Sequence, residues 1–154
     1  MAFAFIACGS SSDKTATATA YDDFVTSNIT QMQQAVLAIQ NIAPDSTEIA
    51  EAIKKYQTQI DSINKKIKSK PAYDDNKAYK NAAVNLGNVY KNAVTNYFAD
   101  IAAIYNKSQD STAVADIQKI IDTLKQEETK ATKSFIKERE AFAEEYELDL
   151  MNKQ

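Results

Sequence analysis

The stretch Val25-Thr26-Ser27-Asn28-Ile29-Thr30-Gln31-Met32-Gln33-Gln34-Ala35-Val36-Leu37-Ala38-Ile39 decides the fold. Val25, Ile29, Met32, Val36 and Ile39 recur at steps of four, three, four and three, which puts them on one face of an α-helix. A strand would alternate at every second position, and this stretch does not. A helix with one apolar stripe is stable only when the stripe is covered, so the rest of the chain must supply matching stripes.

It does so three times. Ile49, Ile53, Tyr56, Ile60, Ile63 and Ile67 form the second stripe; Lys65, Lys66, Lys68 and Lys70 crowd its end, where cations suit the helix dipole, and Pro71 closes it. The third opens between Asp74 and Lys77 and carries Tyr79, Ala83, Leu86, Tyr90, Val94, Tyr97, Ile101 and Ile104. A four-four stutter between Ala83 and Val94 relaxes its heptad. Gly87 lies inside it, at a cost of about 1 kcal/mol against Ala, and predicts the close approach of a neighbour. The fourth opens at Asp110 or Ser111, carries Val114, Ile117, Ile121, Leu124, Ala131, Phe135 and Phe142, and is predicted to be the longest, reaching Tyr146.

The breaks between stripes carry turn and cap chemistry. The first helix is predicted over Tyr21 to Asn41 and ends at Ile42-Ala43-Pro44-Asp45; Asp45, with Glu48 three residues on, reads as the cap of the second helix. The predicted fold is all-α, an up-down-up-down four-helix bundle with short connections near Pro44, Pro71 and Ser108.

Composition excludes much else. The 154 residues include only 2 Gly and 2 Pro, where average usage would give about 18, too few for the turns of a sandwich or barrel. With no His, no Trp and a single Cys, most metal, triad and redox chemistry is out of reach, including the Glu-x-x-His pairs of di-metal bundles. A net charge of -3, from 18 basic and 21 acidic residues, offers no field for phosphate backbones, so nucleic acid is not expected as a partner. No cofactor, no metal and no enzymatic activity are expected.

A shift of 65 positions aligns Ala38, Ile39, Asn41, Asp45, Ser46, Thr47 and Ala50 with the identical Ala103, Ile104, Asn106, Asp110, Ser111, Thr112 and Ala115, without a gap. The same shift carries the first stripe onto Tyr90, Val94, Tyr97, Ile101 and Ile104. The bundle therefore reads as a duplicated helical hairpin; the competing explanation is convergence on one good capping sequence.

The opening Phe3-Ala4-Phe5-Ile6-Ala7-Cys8-Gly9-Ser10 is an apolar run, a small residue, a cysteine and a polar tract. It resembles the end of a bacterial lipoprotein signal peptide, in which cleavage after Ala7 leaves Cys8 to carry acyl chains. On that resemblance residues 1–7 are a signal-peptide remnant, 8–20 a lipidated cysteine on a flexible tether, 21–150 the bundle and 151–154 a tail. The ending Phe142-Ala143-Glu144-Glu145-Tyr146-Glu147-Leu148-Asp149-Leu150 is similar to the close of an uncharacterised bacterial surface-lipoprotein family, in which the last helix ends in Phe-Ala and an aromatic residue followed by alternating aliphatics. Three acidic residues suit a helix C-terminus poorly, so Leu148 and Leu150 are expected to leave the helix extended and tuck under the bundle. The resemblance implies exported, cell-surface or periplasmic placement, anchored to the outer membrane through lipid, and it supplies no catalytic residues.

Two function classes remain. The first is a non-enzymatic module that binds a macromolecule. An anchor at Cys8 would put the Pro44 and Ser108 connections at the membrane-distal end, making Asp45, Ser46, Tyr105, Lys107 and Gln109 the candidate interaction tip. The second is a small-ligand-binding or sensing bundle with a pocket near Tyr90, Tyr97 and the ladder Asn85, Asn88, Asn92 and Asn96. Glu128 falls on the inner stripe of the fourth helix, where a long side chain snorkels at the edge.

Overall fold

The structure, a computed structural model, describes residues 11–45, 47–108 and 110–150. Among the described residues the chain forms four helices and no strand. Helix α1 is Ser11–Gln40 and α2 is Ile49–Ser69. A single 3-10 turn, Tyr73–Asp75, leads into α3, which runs Lys77–Asn92, passes through a π turn at Ala93–Tyr97 and continues as Phe98–Lys107. Helix α4, Ser111–Glu145, is the longest at 35 residues.

Contacts between chain-distant segments fix the alternation of direction. At one end the Asn106 side chain reaches the Pro44 carbonyl at 3.5 Å, joining the α1–α2 and α3–α4 connections. At the other, the Tyr73 hydroxyl donates to the Lys14 carbonyl at 2.9 Å and the Asn76 amide donates to Glu145 at 3.0 Å. The start of α1, the α2–α3 connection and the end of α4 therefore meet, and the bundle is up-down-up-down.

The stripe read from the sequence of α1 is buried throughout, Val25 and Met32 completely. In α2, Ile60, Ile63 and Ile67 are buried while Ile53 and Tyr56 are half-covered. Gly87 does admit a neighbour: a β-carbon there would stand 2.5 Å from the Asn64 Oδ1 atom. Asn64 uses the space to donate to the Val84 carbonyl at 3.3 Å and to the Asn88 side chain at 2.9 Å, tying α2 to α3.

Several expectations are corrected. The spacer placed over 8–20 is helical from Ser11 on, residues 8–10 lying outside the described residues. Ala18 is fully buried, and Thr17 lies 2.7 Å from the Tyr73 hydroxyl. A methyl group is enough to pack there, so burial begins before the first large apolar residue. Asp45 does not cap α2, which begins at Ile49 with no side-chain cap, whereas Asp110 accepts from the Thr112 and Ala113 amides at 3.0 and 2.9 Å and starts α4. The two halves that match in sequence thus differ at the connection that carried the match. In α3 the stuttered stripe Ala83, Leu86, Tyr90 and Val94 stays buried, and the π turn that follows inserts one residue and rotates the remainder of the helix; Ala102 becomes buried, and Tyr97, Ile101 and Ile104 are only half-covered.

The C-terminus leaves the helix as expected at Leu148, while Leu150 is not among the residues packed on the core. Leu148 N–H bonds the Ala143 carbonyl at 2.8 Å and Glu147 N–H bonds that of Glu144 at 3.4 Å, with Glu147 in the left-handed region at φ 55°. This is a Schellman stop, and it turns Leu148 back onto the core.

The cross-section is not square. Helix α4 packs mainly on α3, and α1 on α2 and α3, while α1 and α4 stand apart. The bundle is sheared so that α1 and α3 touch across its short diagonal. That shear opens a seam between α1 and α4, along which the candidate site lies.

Candidate functional site

One end of the seam is clamped. Asp22, 0% exposed, takes a two-pronged contact from Arg139, Nε to Oδ1 and Nη2 to Oδ2, each 2.8 Å. The Tyr79 hydroxyl donates to the same Oδ1 at 2.6 Å. Three helices thus meet on one carboxylate, and the fork geometry of the guanidinium is what makes the contact directional. Burial, and then the Asp22 carboxylate beside it, push the Tyr79 hydroxyl far above the ordinary phenol range. Around the clamp Tyr21, Tyr73, Tyr79, Phe135, Phe142 and Tyr146 pack with ring centres 4.8 to 6.3 Å apart, in tilted and edge-on pairs.

The other end of the seam is open. The first half of α4 buries little: Ala113 is covered, Ile117 and Ile121 are half-covered, and Val114, expected to face inward, is 63% exposed. The space left between α4, the end of α1 and the α1–α2 connection is an apolar trough with two lobes. The inner lobe, about 370 Å³, is walled by Ile39, Ile42, Phe98, Ile101, Ile121 and Leu124. The outer, about 330 Å³, is walled by Tyr105, Ala113, Val114 and Ile117. Pro44, Ile101 and Ile121 belong to both. The π turn contributes directly, because the rotation it introduces brings Phe98 and Ile101 to the trough.

Polar groups stand at the rim. Gln40, Lys125 and Glu128 border the inner lobe, and Ser108 and Gln118 the outer. Glu128 lies between the trough and Tyr90; burial first, and then the Glu128 charge, raise the Tyr90 hydroxyl to about 12. An arrangement of aliphatic walls with a few rim charges can hold an apolar body and orient one polar end, in the manner of small-molecule sites. Among the described residues no group of His, Cys, Asp and Glu could hold a metal ion, and no helix is long and apolar enough to cross a membrane.

Three of the five sequence-derived tip residues are described, and they fall at this end. Tyr105 lines the outer lobe, Lys107 is the exposed last residue of α3, and Asp45 is exposed in the α1–α2 connection. Ser46 and Gln109 lie outside the described residues, as does Cys8. The second suggested site is divided: Tyr90 floors a wider depression of about 540 Å³ further along the seam, whereas Tyr97 pairs with Glu127 and Asn92 on the other side of α4. Of the Asn ladder, Asn88 and Asn92 reach neighbouring helices, Asn96 donates to Asn92, and Asn85 is exposed.

Asp22 and Arg139 were missed, although the signal was present. Steps of four and three from Ala18 reach Asp22 and then Val25, so Asp22 sits on the first stripe. Arg139 lies four residues after Phe135 and three before Phe142, and it is the only arginine among 18 basic residues. A charge on an apolar stripe implies a buried partner. Compared with family models, curated proteins and solved structures, the chain matches none.

Proposed function

We propose that the chain is a lipid-anchored, non-enzymatic binding module of the bacterial cell envelope, held on the outer membrane through Cys8 and working through the Pro44 end of its bundle. The observation that carries this reading is the apolar trough, which lies at the opposite end of the bundle from Ser11. Ser11 is three residues from Cys8, and the 30 residues of α1 extend about 45 Å, so an anchor at Cys8 would present the trough on the membrane-distal side. The Phe5-Ile6-Ala7-Cys8-Gly9 junction supports the anchor, and exposed Lys107 and Asp45 beside the trough support a macromolecular partner at the tip.

Mass analysis of the N-terminus of protein made in its own host, with membrane fractionation of Cys8→Ala, tests the anchor; a wild-type mature chain that is soluble without detergent refutes it. Substitutions at Tyr105, Lys107 and Gln109 are expected to weaken partner binding to whole cells more than changes at Lys68, Lys70 or Tyr73. Equal effects at both ends, in protein that stays folded by circular dichroism, refute the interaction role. A second reading, a module for a small apolar ligand, is favoured by the volume of the trough.

A further inference from the structure

The seam carries a pattern that a two-fold axis repeats. Among the described residues the large apolar side chains left exposed are Leu37, Val114 and Ile136, at 48%, 63% and 46%. All three border the seam. Val114 edges the outer lobe, and Ile136 edges the depression that Tyr90 floors. Leu37 stands four residues after Gln33 and three before Gln40, which border that depression and the inner lobe, so it shares their side of α1.

Val114 and Ile136 each lie eleven positions from Lys125, about three helical turns and 16 Å, so the three form one row along α4. Gln40 shares the inner lobe with Lys125 and Glu128, and Gln33 shares the wider depression with Glu128 and Thr129. Leu37 therefore sits across the seam from the middle of that row. Exposed apolar groups thus mark both ends and the centre of one face. A half-turn about an axis lying in that face, perpendicular to the helices and through Leu37 and Lys125, sets Val114 of one copy on Ile136 of the other and Leu37 on Leu37.

The same half-turn pairs the charges. Lys125 and Glu128 border the inner lobe one turn apart, and neither has an ion-pair partner among the described residues. With Lys125 first, they stand in the poorer order for a pair along their own helix. At the centre of an antiparallel dimer each Lys125 comes beside Glu128 of the other copy, which gives two equivalent pairs. Gln33, Gln40, Gln118, Thr129 and Thr132, which also border the seam, are uncharged. Lys133 lies about 80° round α4 from the row, at the margin. A foreign helix or peptide has no need of this symmetry, whereas a second copy supplies both halves of every pair.

We infer that two copies of this chain associate antiparallel through the α1–α4 seam, Val114 on Ile136, Leu37 on Leu37 and Lys125 on Glu128. The face runs about 33 Å along α4 from Val114 to Ile136 and is two helices, about 20 Å, wide. Two copies therefore cover about 1,300 Å² in all, at the small end of specific interfaces. The association goes beyond the binding role of the Pro44 end. An anchor at Cys8 would stand at each end of such a dimer, which then joins copies held on two facing bilayers.

The test is sedimentation velocity of the full 154-residue chain from about 1 to 300 μM. A reversible shift from 17.1 kDa to twice that mass is expected, with a dissociation constant of about 10 μM. Val114→Asp and Ile136→Asp, at positions open enough to leave folding intact by circular dichroism, should each weaken it about tenfold or more. Lys125→Glu and Glu128→Lys should each do the same alone. An equimolar mixture of those two should associate again, because every charge pair across the axis is then opposite in sign. A chain that stays monomeric throughout, association untouched by Val114→Asp or Ile136→Asp, or charge variants that associate no better mixed than apart would overturn it. A monomeric chain that nonetheless loses whole-cell binding with substitution at Tyr105 loses this inference and keeps the interaction role.

Discussion

Replacing Arg139 by Met tests the clamp that closes one end of the seam. The substitution keeps much of the side-chain length and removes the fork. Asp22, wholly buried, would then lose two hydrogen bonds of 2.8 Å. Breaking a buried ion pair by removing one partner costs about 3–5 kcal/mol. The Arg139 side chain is 25% exposed, so water reaches the site once the guanidinium is gone, and the lower end of that range, about 3 kcal/mol, applies. With a urea dependence of about 2 kcal/mol/M, the unfolding midpoint should fall by about 1.5 M. The melting temperature should fall by about 6–12 °C, at about 2–4 °C per kcal/mol for a chain of this size. The cause is a buried carboxylate stripped of its cation, so the double variant Asp22→Leu, Arg139→Met should recover part of the loss, because apolar replacements of a buried pair are often neutral or better, the remainder being the buried Tyr79 hydroxyl left without its acceptor. Urea titrations followed by circular dichroism, run as a double-mutant cycle, give the comparison. A cost below about 1 kcal/mol for Arg139→Met, or a double variant no more stable than the single, would refute an energetic role for the clamp.

Two further perturbations probe the helix contacts. Gly87→Ala gains helix propensity but drives a methyl group against the buried, hydrogen-bonded Asn64 side chain at 2.5 Å, so a net loss of about 1–2 kcal/mol is expected in urea unfolding; adding Asn64→Ala should turn it into a gain, and a stabilising single variant would refute the close packing. Asp110→Ala should cost about 1 kcal/mol through the lost cap, while Asp45→Ala should stay within about 0.5 kcal/mol; equal thermal shifts would show that both connections cap their helices alike.

The four helices were legible in the sequence because helix periodicity is a local property: the stripe from Val25 to Ile39 buries the same residues whichever helices cover it. The Asp110 cap was legible for the same reason, its partners being two and three residues away. Asp45 carried the same local signal and failed, since helix α2 begins four residues later at Ile49. The tip residues were brought to one end by helix count and direction alone, which short connections impose. Asp22 and Arg139 were half legible, for stripe position announces burial, but their pairing spans 117 positions in the chain and depends on how three helices meet.

The trough was not legible. It exists because α1 and α4 stand apart, because the π turn rotates Phe98 and Ile101, and because Val114 is left uncovered. Periodicity says which face of a helix is apolar, but the distance between two helices is set by every side-chain volume packed between them and their neighbours. The sequence alone therefore determined the helices, their order and their inward faces, and tertiary packing alone decided which inward face was left partly uncovered.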